Sequence, residues 1–477
     1  MFLQNLFSSK ENQNVQLSEE ELLKVLRISP EMFGKFEHSY KAFMSDKEGI
    51  EPNAKLAVKS HKKSSQPALL TETDKINNLV DRIVNELIVQ TQVIKFDGKT
   101  CKTIKGISAY PVNPVSSEEI MALPEYLRPQ LTGSLMQKDI ADESVGRMLL
   151  TQYLNSRDET LPEKTRKTYY NLFRQGLDIL DLDWLSYRMI DANVNSMGHW
   201  LPQISKAVVS ERFFQIPKTT IIKVPITLLQ LTHIQWETLT QTTLDVVNKY
   251  CMKVFELDIN GDYFIKTGTY SSKFDFRNAH VTTSKEVQEL GSYLLYIHYA
   301  ALLKAGPLYK PCVYGISTTT EWVVRDFIKD PEDNLTIYHG LPLRTEYRAF
   351  VDFDTKTVLG ITPYWDVDVM GKHFKCHTTK GCTNPDQLHD YITFSMNEES
   401  LMERFTANKD VVVSHLKEVI KITEGLSGQW SVDIMQSGDE FYLIDMATAA
   451  RSALKEKINY DFGLPNEDWM PVIDRKG

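Results

Sequence analysis

The chain has 477 residues, 42% hydrophobic and 25% charged, an ordinary globular balance that can bury a sizeable core and argues against bulk disorder. Its 63 acidic and 54 basic residues give a formal net charge of −9, a poor basis for coating nucleic acid, so no nucleic-acid partner is expected, although a local basic cleft can still hold phosphate. The five cysteines (101, 251, 312, 376, 382) are odd in number and form no CxxC pair. With no cationic leader ahead of an apolar run and no apolar stretch near about 18 residues, the expectation is a reduced, cytoplasmic protein without a membrane span.

Residues 1–45 read as short helices: Ser18 to Glu21 forms a capping box before Leu22, Leu23 and Leu26, and Ser29-Pro30 opens a second helix. Residues 46–72 are polar, lysine-rich and aperiodic, the texture of a linker. Within 73–91, Ile76, Leu79, Val80, Ile83, Val84, Leu87 and Ile88 share one helical face. A hairpin turned at Asp97-Gly98 follows, and residues 117–200 are mainly helical by pattern, so 73–205 is expected as one mixed, mainly helical domain. From about 213 the texture changes to short β-rich runs: KTTIIKVPI, DYFIKTG, EWVVRDFI, YRAFVDF, TVLGITPYW, WSVDIM and FYLIDM. Helical stretches at 284–304 and 409–424 interleave them, which predicts an α+β or α/β domain over 206–477.

The segment Gln429–Thr448 carries the strongest chemical signal. Two apolar runs flank Ser437-Gly-Asp-Glu440, and each holds one acid, Asp433 and Asp445. A loop centred on Asp439 places them opposite each other on one face, where two carboxylates repel unless protonated or bridged by a cation such as Mg²⁺. Upstream, Lys266 ends an apolar strand and runs into a Gly/Ser/Thr-rich turn, a setting suited to phosphate. Glu346 and Arg348 lie two apart on one face of a strand, either as a structural pair or as a site in which the guanidinium takes phosphate oxygens.

Two further constellations compete. Lys95-Phe-Asp-Gly98 matches the K-x-D-G pattern of covalent nucleotidyltransferases, but no partner motifs accompany it and the hairpin turn accounts for Asp97-Gly98. His373, Cys376, His377, Cys382 and His389 concentrate metal-capable residue types in one segment, with a spacing that is not a usual zinc pattern; a polar loop over a cleft is the competing reading.

In chain order, Ile216-Pro-Lys218-Thr, YFIKTGTYSS, EWVVRDFI, EYRAFVDF with TVLGIT, and SVDIM with FYLIDM resemble the ATP-grasp superfamily, and within it the cell division cycle protein 123 family, over about residues 213–452. The resemblance implies an α+β chain with a C-terminal ATP-grasp fold, two α+β lobes holding a nucleotide, behind a mainly helical N-terminal region. It implies ATP and Mg²⁺ as cofactors. Lys266 and, more weakly, Lys218 would contact the phosphates, with Ser271 and Ser272 in the same loop. The backbone of Trp322, Val323, Val324 and Arg325 would hinge the lobes and bond the adenine edge. Arg348 would bind the terminal phosphate, Arg451 a phosphate or substrate, and Asp433 and Asp445 the metal. The activity implied is a carboxylate–amine ligase working through an acylphosphate on an unidentified carboxylate or protein substrate. The alternative is an ATP-binding assembly factor without turnover, and a minor one is nucleotidyl transfer through Lys95. The chain departs from the family at Asp445-Met-Ala447, where an asparagine usually supplies a further metal ligand, and at Thr362-Pro-Tyr-Trp-Asp366.

Overall fold

The structure is a computed structural model that describes residues 72–105, 115–131, 160–180, 190–191, 193–305, 319–373 and 385–462, with single positions between 152 and 158. The helices expected over 1–45, nearly all of the 46–72 linker, and Cys376, His377 and Cys382 lie outside the described residues. The chain divides into two compact units, one comprising Met1–His61, Asp139–Leu185 and Asp474–Gly477, the other Lys62–Lys138 and Ser186–Ile473.

The second unit opens on α1 (Glu72–Ile88), the hairpin β1 (Gln92–Phe96) and β2 (Cys101–Lys105), and α2 (Ser117–Met121). The described helix α3 (Glu163–Leu180) belongs to the first unit. The second unit resumes with α4 (Met197–Glu211), β3 (Phe214–Gln215), β4 (Thr219–Lys223), α5 (Ile226–Gln230), α6 (Gln241–Val254), β5 (Tyr263–Thr267), β6 (His280–Val281), α7 (Ser284–Gln288) and α8 (Leu290–Ala305). Then come β7 (Glu321–Asp326), β8 (Thr336–Ile337), β9 (Leu341–Pro342), β10 (Glu346–Asp352), β11 (Thr357–Pro363), α9 (Val367–His373), α10 (Pro385–Ile422), β12 (Gln429–Ser437) and β13 (Glu440–Thr448). Among the described residues no helix is long and apolar enough to cross a membrane.

The unit is α+β, with a six-stranded sheet in the order β2-β1-β4-β7-β5-β6 and a five-stranded sheet in the order β11-β10-β12-β13-β3. The boundary expected at 205/206 falls inside α4, and β1 pairs antiparallel with β4 across it, Ile94 opposite Ile221. One apolar cluster joins the sheets. It takes Ile94, Ile221 and Val323 from the first and Tyr347, Ala349, Val432, Ile434 and Leu443 from the second, with Trp200 and Ile204 of α4 and Val412 and Leu416 of α10. Alternation along β10 sends Tyr347 and Ala349 into that cluster and turns Glu346 and Arg348 to the other face.

Helix α10 is 38 residues long, far beyond the 409–424 expected from periodicity. Its first half packs Phe394 on a separate cluster with Trp365, Met370 and Tyr338, while its second half packs on the main core. Asn397, Glu398, Glu399 and Ser400 lie between the two apolar stretches and break the pattern.

The start of α4 is tied to both sheets. The Glu321 carboxylate accepts the Gly198 N–H at 2.9 Å, and Met197 N–H donates to the Gly268 carbonyl at 3.0 Å. Gly268 N–H donates to the Glu321 carbonyl at 3.0 Å, and Thr448 N–H to Asn195 Oδ1 at 2.7 Å. A carboxylate at the first turn of α4 faces the positive end of the helix dipole. Burial raises the Glu321 pKa.

Candidate functional site

The site is built on one row of side chains across the second sheet. The hairpin β12–β13 turns at Gly438-Asp439, with Gly438 at φ +60°, a conformation that favours glycine. From Ser437↔Glu440 to Ile434↔Leu443 the ladder is regular; between Asp433 and Ile434 the register shifts, so Asp433 pairs with Asp445. A turn centred between Gly438 and Asp439 would by itself place Ile444 opposite Asp433, so the bulge at Ile444 is what brings the two acids face to face. On the far side of Asp433 stands Arg348, and beyond it Thr362.

Neither carboxylate is bare. Arg348 Nε and Nη2 donate to the two oxygens of Asp433 at 2.8 and 2.7 Å, a bidentate pair, rather than to Glu346. Lys266, 1% exposed, reaches across from the first sheet and donates to Asp445 Oδ2 at 2.6 Å, while Met446 N–H donates to Asp445 Oδ1 at 3.0 Å. The repulsion expected between the acids is therefore offset by two protein cations. Burial works against charge on Arg348, but Asp433 holds its pKa above the usual value.

Arg325 is the second cation from the first sheet. Its Nη1 donates to the Ile444 carbonyl at 2.6 Å, the carbonyl of the bulge residue, and its Nε to Thr219 Oγ1 at 3.2 Å. Its Nη2 is buried and has no hydrogen-bond partner among the described residues. Burial pulls Arg325 down to about 10, opposed by Asp445. Lys273, which follows Ser272 (φ +50°), hydrogen-bonds the Tyr364 hydroxyl and lies 3.8 Å from the centre of the Tyr364 ring. Arg348 lies 4.6 Å from the same ring. Burial pushes Lys273 down to about 8, with Glu346 opposing and Arg348 reinforcing the shift. Glu346 is 7% exposed, and among the described residues nothing donates a hydrogen bond to its carboxylate. Burial pushes it up to about 7, with Lys273 opposing.

Several expected site residues fall elsewhere. The backbone of Trp322, Val323, Val324 and Arg325 is paired on both edges, with β4 and with β5, so its donors and acceptors serve the ladders and are not open to an adenine edge. Lys218 is exposed and lies 3.9 Å from Asp326 at the surface. Lys95 is exposed and paired with Glu256 at 2.6 Å. Ser271 is half-buried and Ser272 buried, both in the loop between Lys266 and Lys273. Arg451 closes the 3-10 turn Ala449–Arg451, and its side chain lies outside the described residues.

The residues the sequence reading passed over are Lys273 and Tyr364. Their signals are weak: a lysine after two serines, and a tyrosine in a segment that departs from the family pattern.

The donor set fits a polyphosphate. Lys266, Arg325 and Arg348 converge from two sheets, and Arg325 Nη2 lacks an acceptor that a phosphate oxygen would supply. It does not fit a metal by itself. Asp433 and Asp445 are already committed to Arg348 and Lys266, and among the described residues no group of three His, Cys, Asp or Glu side chains gathers.

No protein-family model matches the sequence, and no curated protein matches it. Solved structures similar to it include C-terminally truncated Cdc123 from Schizosaccharomyces pombe, 14% identical over 58% of this chain and 95% of that one at a TM-score of 0.32, and Cdc123 from the same organism, 14% identical over 57% and 93% at 0.31. Likeness of that degree carries no argument about function.

Proposed function

We propose that this is an ATP-binding protein of the ATP-grasp kind, holding the triphosphate between its two sheets. The carrying observation is the buried Arg325 Nη2 without an acceptor, beside Lys266 and Arg348. Arg325 would take a phosphate oxygen through its free donor. Lys266 and Arg348 would share their charge between their carboxylate partners and the polyphosphate.

Binding without turnover, the assembly-factor reading, is favoured over carboxylate–amine ligation. Asp433 gives both oxygens to Arg348, and Asp445 gives its two to Lys266 and Met446 N–H. Such carboxylates already have their charge compensated, so holding Mg²⁺ would mean giving up those bonds. The test is thermal melting with ATP, with and without Mg²⁺, alongside ADP and phosphate release. A ligand at a hundredfold excess over its Kd stabilises by about 2.7 kcal/mol. Stabilisation by ATP without ADP release supports this reading. Release that depends on an added carboxylate and amine restores the ligase, and no stabilisation at millimolar ATP removes the nucleotide altogether.

A further inference from the structure

Lys273 has surroundings that phosphate binding does not use. It opens the 3-10 turn Lys273–Asn278, and its Nζ lies 3.8 Å from the Tyr364 ring centre, 5.2 Å from Trp365 and 5.8 Å from Phe274. The cage is held in place: Trp365 Nε1 donates to the Arg344 carbonyl at 2.9 Å, and Tyr364 N–H to the Glu346 carbonyl at 2.9 Å. The hydrogen-bond partner of Nζ is the Tyr364 hydroxyl, and among the described residues no carboxylate forms an ion pair with it. That separates it from Lys266, whose amine is held by Asp445. The Glu346 carboxylate, without a donor among the described residues, acts on the Lys273 charge, and Asp445 acts on both Lys273 and Arg325, whose Nη2 lacks an acceptor among the described residues.

We propose that Lys273 is a nucleophilic lysine that condenses with a phosphate-bearing aldehyde, the phosphate seated on Arg325. An amine withdrawn from water and beside another cation, here Arg348 on the same Tyr364 ring, is kept partly neutral, which is how lysines are activated toward carbonyls. The lowered Lys273 pKa accords with this. The ammonium first gives its proton to Glu346. The neutral amine then adds to the aldehyde carbon, forming a C–N bond as the C=O π bond breaks, and one nitrogen proton passes to the new alkoxide to give the carbinolamine. The carbinolamine oxygen takes a proton from the Tyr364 hydroxyl and leaves as water, and nitrogen returns its remaining proton to Tyr364. An amine and an aldehyde thus become an imine and one water, with no oxidant or reductant.

The phosphate seat rests on the same Arg325 donor as the nucleotide reading, yet the two fail separately, because melting with ATP can fail while the lysine still reacts. The test uses the full chain and pyridoxal 5′-phosphate as the probe, trapped with borohydride and mapped by peptide mass spectrometry. The expected result is one saturable label at Lys273, absent in Lys273→Arg, with pyridoxal lacking the phosphate reacting at least tenfold more slowly. Arg325→Gln should erase that phosphate preference while Lys273 still reacts, and melting curves of each variant establish that it folds. Label spread over exposed lysines, label on Lys266 instead, or an unchanged yield in Lys273→Arg overturns the nucleophile. Equal rates for the two aldehydes overturn the phosphate seat.

Discussion

At the scale of single residues, the site is a set of buried charges that are only partly matched. Asp445 is the counter-charge of Lys266, which is 1% exposed. Asp445→Asn therefore leaves a buried ammonium without its carboxylate, and the expected cost is about 2–3 kcal/mol in chemical denaturation. Two bare acids, as the sequence alone suggests, would give the opposite sign, because nothing in a pair of apolar strands shows that lysine and arginine from other strands will meet them. Glu346 gives a second prediction. Burial raises its pKa from 4.5 to about 7, so between those values the folded chain binds a proton that the unfolded chain lacks, and stability falls as pH rises through that window. Lys273 is lowered from 10.5 to about 8, so the folded chain lacks a proton there and stability rises with pH above about 8. The two together place a stability minimum near neutral pH. Glu346→Gln should remove the fall, making the variant more stable than the parent by roughly 1–3 kcal/mol at pH 7.5 and equal to it near pH 4. Melting curves across pH check this, and a variant no more stable at pH 7.5 contradicts it.

At the scale of elements, the strands were legible and their relations were not. The alternation in YRAFVDF, SVDIM and FYLIDM marks β10, β12 and β13, and the Ser-Gly-Asp-Glu signal marks their turn. The pairing of Asp433 with Asp445 was also expected, but for an incomplete reason. It depends on a bulge at Ile444, a one-residue irregularity without a composition signature, and the carbonyl of that residue then receives Arg325. The partners of β7 were equally hidden, since EWVVRDFI reads the same at an edge or in the middle of a sheet. Its place between β4 and β5 removes the open backbone that an adenine contact needs. The junction at the start of α4 carries a prediction of its own. A Cβ on Gly268 would sit 2.6 Å from both Glu321 Oε2 and Thr319 Oγ1, and Glu321 is held by Gly198 N–H. Gly268→Ala should cost about 1–3 kcal/mol by overpacking, read as a lower denaturation midpoint; unchanged stability means that the junction yields.

At the scale of the unit, two sheets share one apolar cluster and face each other with charge beyond its edge. The first contributes Lys266 and Arg325, the second Glu346, Arg348, Asp433 and Asp445. The cluster keeps the sheets apart by a fixed layer of side chains, and the cations at its margin are held before any ligand arrives, which lowers the ordering cost of binding one. The most direct test is a crystal structure of the full chain with a non-hydrolysable ATP analogue. The account predicts a phosphate oxygen within about 3 Å of Arg325 Nη2, with Lys266 and Arg348 against the same polyphosphate. An analogue bound elsewhere, or Arg325 Nη2 still without an acceptor in a nucleotide-bound structure, contradicts it.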